Sequence, residues 1–159
     1  MKLTVQKLVH GGSGVAEHEG KKIFVPFVLP GEEVEVEISK DHGSYAEAVL
    51  KKVLVPASKR VKPRCPVFGR CGGCQWQHMA YDEQLRWKRK IVVESLERIA
   101  KINNAVDLVR ATTSSPQEWH YRNRIQLHVR AEKVGFYRAK TNEIVEFEKC
   151  FIADERLNQ

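Results

Sequence analysis

The chain has 159 residues, 42% of them hydrophobic and 30% charged, and a net charge of +7. That is enough apolar material for a core, but no apolar run approaches the roughly 20 residues of a membrane helix, and Met1–Gln6 begins no secretory signal. A cytoplasmic location is expected, and there four cysteines point to metal binding or chemistry rather than to disulfides.

The first 56 residues read as β-structure. Leu3–Val9 alternates and is broken by His10-Gly11-Gly12-Ser13-Gly14. Lys21–Val28 is a second strand, with Pro26 marking an edge or an end. After the turn Leu29-Pro30-Gly31-Glu32, Glu33–Ile38 alternates strictly, so Val34, Val36 and Ile38 should face inward and the glutamates outward. Tyr45–Val55 is a further strand region. Short strands joined by glycine-rich turns predict a small OB-like β-barrel.

Val55–Ser58 reads as a linker. Lys59–Cys74 has no periodicity and cannot build a core, so a metal centre is expected to order it. Tyr81–Ile102 reads as a helix with Asp82 as N-cap and an apolar face of Leu85, Val92, Leu96 and Ile99. Strands return from Val106. Tyr121–Arg130 alternates over its second half, and Val134–Tyr137 and Ile144–Phe147 flank a hairpin turn at Lys140-Thr141-Asn142. The tail 154–159 resembles the start of a helix, and a truncated chain is expected. The fold class is therefore mainly β with α. An OB-like barrel over 1–56 comes first, then a cysteine-rich loop and helix over 57–102, then the start of an α+β central domain over 103–159.

Charge is uneven. Residues 1–56 carry a net −1, 57–101 a net +7 and 102–159 a net +1. The excess lies where three of the four cysteines lie, and clustered Lys/Arg of this kind is the footprint of a polyanion.

The cysteines run Cys65-x5-Cys71-x2-Cys74, then 75 residues, then Cys150. Three ligands from one glycine-rich loop plus a distant fourth is one way to hold a cubane cluster. Gly72 and Gly73 would let backbone N–H groups approach the sulfurs. A four-cysteine zinc site is the rival, although the second Cys-x2-Cys knuckle of a zinc ribbon is missing. A redox or free-thiol role is the third reading. Spacing favours the cluster and leaves the others open.

Leu8–Ala16 (Leu8-Val9-His10-Gly11-Gly12-Ser13-Gly14-Val15-Ala16), Phe24-Val25-Pro26 and Leu29–Glu32 resemble a TRAM domain. Cys65–His78 (Cys65-Pro66-Val67-Phe68-Gly69-Arg70-Cys71-Gly72-Gly73-Cys74-Gln75-Trp76-Gln77-His78), with Tyr81, Gln84-Leu85 and Lys88 behind it, resembles the cluster loop of the RNA uracil-5 methyltransferases that carry TRAM and a [4Fe-4S] cluster. Tyr121–Arg124 and Val134–Tyr137, up to Cys150, are similar to the start of that family's central domain. The resemblance implies Cys65, Cys71, Cys74 and Cys150 as cluster ligands. It implies S-adenosylmethionine as methyl donor, a cysteine that adds to C6 of a flipped uracil, and a carboxylate that removes the C5 proton. It implies RNA as partner, large-subunit (23S) ribosomal RNA ahead of tRNA.

The sequence departs from that family in lacking a strand–glycine loop–helix unit for the cofactor and a cysteine left over as nucleophile. These residues alone are expected to bind RNA without catalysing, as a monomer and away from membranes. A stand-alone RNA-binding module with a structural zinc or cluster is the alternative. A radical S-adenosylmethionine enzyme is disfavoured by the x5 spacing and the fourth cysteine. Lys59, Arg60, Lys62, Arg64, Arg70, Trp76, Arg122 and Arg124 are the expected RNA contacts. Arg122 and Arg124 are taken to share one strand face. The histidines are read as structural.

Overall fold

The computed structural model describes all 159 residues. The chain forms two compact units. One comprises Met1–Val61 with His78–Thr113, the other Lys62–Gln77 with Ser114–Gln159. No helix is long and apolar enough to cross a membrane.

The first unit holds strands β1 (Lys2–Thr4), β2 (Lys7–Leu8), β3 (Gly14–His18), β4 (Lys21–Val25), β5 (Glu33–Asp41) and β6 (Tyr45–Val55). They form one sheet in the order β1-β5-β6-β4-β3-β2, antiparallel except for the β4–β6 pair. Alternation places Ile23, Val25, Val34, Val36, Ala46 and Ala48 in one buried cluster with Leu3, Val5, Ala16 and Val28. Ile38, expected inward, is 39% exposed, because β5 changes register between Ile38 and Lys40 and turns its far end away from the core.

The expected barrel is not closed. The Leu3–Val9 strand splits where it changes partner. The Val5 N–H donates to the Glu32 carbonyl on the β5 side, and the next residue, Gln6, donates to the Val15 carbonyl in β3. The two ends of the sheet are thus nearly consecutive residues with no ladder joining them. Gly14 sits where the chain crosses the core, and a Cβ there would lie 2.3 Å from the Val28 side chain.

Helix α1 spans Tyr81–Arg98, four residues short of the expected end, and α2 spans Ala105–Leu108. The N-cap of α1 is Ala80, which offers no side-chain bond; Asp82 lies two residues further in and accepts from the Glu83 N–H at 2.8 Å. The predicted apolar face is also shifted. Val92 and Ile99 are exposed, and α1 buries Glu83, Trp87 and Val93 instead. Glu83 anchors that face by accepting from the Trp87 indole at 2.7 Å and from Arg86.

Glu32 is fully buried. It accepts from the Leu29 N–H at 2.8 Å and the Ala57 N–H at 3.2 Å, and it takes both arms of Arg60 at 2.5 and 2.8 Å. Burial works against its ionisation, but the Arg60 guanidinium and the two amides outweigh it and hold the carboxyl below its ordinary range. Arg60 also caps the carbonyl of Phe27, a residue in left-handed conformation.

The second unit holds a small antiparallel sheet of β7 (His128–Arg130), β8 (Lys133–Tyr137) and β9 (Ile144–Val145), and ends in a 3-10 turn over Glu155–Asn158. The hairpin expected around Lys140–Asn142 joins β8 to β9. Residues 121–127, expected as strand, are not one. Their backbone is drawn to the segment before the C-terminal turn: Arg122 N–H donates to the Ile152 carbonyl, and Asp154 N–H donates to the Arg122 carbonyl.

Candidate functional site

The cysteine loop lies in the second unit. Its turns are local: Phe68 N–H donates to the Cys65 carbonyl, and Arg70 and Cys71 both donate to Val67. Gly72 then pairs with the β8–β9 hairpin by donating to the Tyr137 carbonyl at 2.9 Å, while Cys71 bridges Arg138. A Cβ on Gly72 would meet that carbonyl at 2.9 Å and the Ala139 nitrogen at 3.0 Å. Only glycine lets the loop lie this close to the hairpin.

This docking brings Cys150 to the loop. All four cysteines line one cavity of about 30 Å3, together with Phe68, Phe136, Phe147 and Phe151 as an aromatic wall. All four are half-buried free thiols. Burial pushes the Cys71 and Cys74 thiols up, and the positive charge of Arg122 at the cavity wall opposes it. The Gly73 N–H points at the Cys71 sulfur at 3.4 Å, the kind of contact the two glycines suggest. The thiols share the cavity without three of the His, Cys, Asp or Glu side chains converging as a single-ion ligand set.

Two carboxamides that spacing does not single out also touch the cysteines. Gln77 accepts from the Cys65 N–H at 3.1 Å. Asn158 accepts from the Cys150 N–H at 2.8 Å and donates to the Cys150 carbonyl at 3.2 Å.

The expected basic contacts separate into distinct roles. Arg60 is committed to Glu32 and Phe27 in the first unit, so it is a structural residue. Lys59 is exposed and pairs with Asp82 at 2.5 Å. Lys62 and Arg70 are exposed on the cysteine loop. Arg64 lies over the Trp119 ring at 5.5 Å and the Phe151 ring at 4.9 Å, which links the residue before Cys65 to the residue after Cys150. Trp76 is half-buried. Arg122 and Arg124 are both exposed but share no strand face, and Arg122 belongs to the cysteine cavity. Every cation of residues 62–77 is unmatched by an acid, since that stretch has none.

Residues 1–51 match the TRAM domain model. The whole chain is 46% identical over 159 residues to an uncharacterized RNA methyltransferase of Aquifex aeolicus, of which it covers 37%. It is 40% identical over 161 residues to another from Bacillus anthracis, covering 99% of this chain and 35% of that protein. Among solved structures it is similar to the tRNA (uracil-54, C5)-methyltransferase of Pyrococcus abyssi in complex with S-adenosyl-L-homocysteine. That likeness has a TM-score of 0.65 and 31% identity, over 99% of this chain and 34% of the other. The chain thus spans about a third of the length of the relatives it matches.

Proposed function

We propose that this chain, with its TRAM domain and its likeness to about a third of the length of RNA methyltransferases, is the RNA-recognising and metal-binding portion of an S-adenosylmethionine-dependent RNA uracil-C5 methyltransferase acting in the cytoplasm. The observation that carries the metal part is the gathering of all four cysteines around one cavity.

In this reading Cys65, Cys71, Cys74 and Cys150 hold a 4Fe-4S cluster. Four thiols around one cavity, from a glycine-containing loop and a distant fourth cysteine, are the donor set of such a cluster. A zinc ion, with four thiolates each about 2.3 Å away, would draw on the same residues and is the second reading. The donor set also fits: thiols not tied up in disulfides, an N–H aimed at sulfur and a cation beside an anionic centre. When bound, the cluster supplies a cross-link between the loop and the segment at Cys150; four thiolate ligands leave it no open position for substrate.

Lys59, Lys62, Arg64, Arg70, Trp76, Arg122 and Arg124 are the residues proposed to meet RNA, with Lys62 and Arg70 exposed on an acid-free segment. The partner is a structured RNA. Large-subunit ribosomal RNA is the target favoured by the TRAM-plus-cluster resemblance; the named substrate of the Pyrococcus abyssi protein supports tRNA as a second reading.

Filter binding of residues 1–159 to a 23S rRNA fragment and to a tRNA, in rising salt, tests this. Affinity that falls with salt, and that weakens about uniformly when Lys62 and Arg70 become Ala, supports the reading. Salt-independent or absent binding overturns it. Methyl transfer from S-adenosylmethionine by these residues alone is expected to be nil.

A further inference from the structure

We propose that Gln77 and Asn158 are positioning residues for the cysteine site: Gln77 holds the 65–74 loop in binding geometry, and Asn158 fixes Cys150 to meet it. The inference rests on the four-cysteine metal reading.

The geometry at Gln77 closes the loop on itself. Its Oε1 accepts from the Cys65 N–H at 3.1 Å, so a side chain three residues beyond Cys74 is tied to the backbone of Cys65. One amide therefore holds together the two ends of the segment that carries the first three cysteines. An aliphatic side chain offers that N–H no acceptor.

Asn158 makes the matching contact at the other end. Its Oδ1 and Nδ2 engage the N–H and C=O of the same residue, Cys150, at 2.8 and 3.2 Å. The side chain acts as one strand of a ladder for a residue that lies outside every strand. The backbone of Cys150 is thereby oriented without any contact to its sulfur. Gln75 provides the contrast within the loop. It follows Cys74 directly, is exposed, and its side chain donates to the Gly72 carbonyl at 3.2 Å rather than to a cysteine.

The test compares Gln77→Leu, Asn158→Leu and Gln75→Leu with the parent chain. Each removes the side-chain amide without adding charge. The proteins are loaded anaerobically with mixed ferrous and ferric iron and sulfide, and in parallel with zinc alone. Retention is followed against a chelator by the sulfur-to-iron absorption band and by metal analysis, and far-UV circular dichroism of the metal-free form reports the fold. Gln77→Leu and Asn158→Leu are expected to lose metal about tenfold to a hundredfold more readily, with unchanged metal-free spectra, while Gln75→Leu behaves as the parent.

Equal retention in all four proteins overturns the proposal while the metal reading stands. Equal loss in Gln75→Leu reduces the effect to general loop stability and also overturns it. A parent chain that takes up neither iron nor zinc overturns the metal reading and this inference together.

Discussion

The two units solve the problem of holding a chain together in different ways. The first buries a continuous cluster from Leu3 to Ala48 and adds Met79 and Trp87 from the helix region. In the second, the buried hydrophobics are Val145, Ile152 and Ala153, of which only Val145 lies in the three-stranded sheet of short strands. Burial of apolar surface, at about 25 cal/mol per Å2, can stabilise the first unit by itself; the second has far less to draw on. What the second has instead is four thiols around one cavity, and small units short of core commonly depend on metal. The units differ in charge for a related reason. The cysteine loop of the second carries three cations and no acid. An anionic cluster and an RNA backbone would both draw on that excess.

The largest expected effect removes what the second unit relies on. Cys150→Ser, or stripping the loaded protein with a chelator, should abolish slow hydrogen exchange across residues 62–77 and 114–159 while amides of β5 and β6 stay protected. If the second unit stays protected after metal loss, its few buried side chains suffice and the contrast fails.

The first unit has its own weak point, a buried ion pair. Arg60→Ala leaves Glu32 as an uncompensated charge at a fully buried position, a loss of about 3–5 kcal/mol in denaturant unfolding. Metal retention by the second unit should not follow it. Replacing Glu32 by Gln in the same chain should recover part of the loss, because the buried charge is then gone.

How much of this was legible in the sequence depends on whether the deciding contact is local. β5 and β6 alternate against a core and lie close to where periodicity puts them. The split at Val5 and Gln6 left no local mark, because it is a change of partner. Tyr121–Arg130 alternates over its second half, yet Arg122 bonds to Ile152 and Asp154, which pattern cannot reveal. The apolar stripe on α1 was misplaced because Trp87 and Val93, not Val92 and Ile99, meet the core. At the site, the cysteines announce themselves by spacing. Gln77 and Asn158 do not, since an amide has no preferred spacing from a thiol and its role comes only from where the fold puts it.

A pH titration sharpens the comparison further. His78 is 1% exposed, and its imidazole is held down to about 4 from an ordinary 6.5, mainly by burial and then by the Arg60 cation. The Val28 carbonyl, 3.4 Å from Nε2, and Glu32 oppose that shift. The unfolded chain therefore binds a proton that the folded one refuses between pH 6.5 and 4, so stability is full above that window and falls as pH drops through it. A shift of that size amounts to about 3 kcal/mol. Glu32, with its folded pKa depressed, adds loss in the same direction below its ordinary 4.5. In His78→Gln the decline should begin only near pH 4.5. An unchanged onset near 6.5 would assign the slope to another group.

The smallest effect lies at the start of α1. Ala80 occupies the N-cap with φ −56° and ψ 144°, the extended conformation a cap requires, yet its side chain has no oxygen to offer the amides of the first turn. Asp82 bonds the Glu83 amide from inside the turn and also takes Lys59, so it is a poor substitute for a cap. Ala80→Ser supplies the missing acceptor in a backbone already shaped for it, and the Ala80 N–H to the Lys59 carbonyl is untouched. The expected gain is about 1 kcal/mol in the first unit by denaturant unfolding. Because α1 belongs to that unit and the cysteine loop does not, the gain should leave chelator-driven metal loss unchanged. A variant that held metal more tightly would mean that the helix and the loop act as one cooperative piece, and the division drawn between the two units would have to be redrawn there.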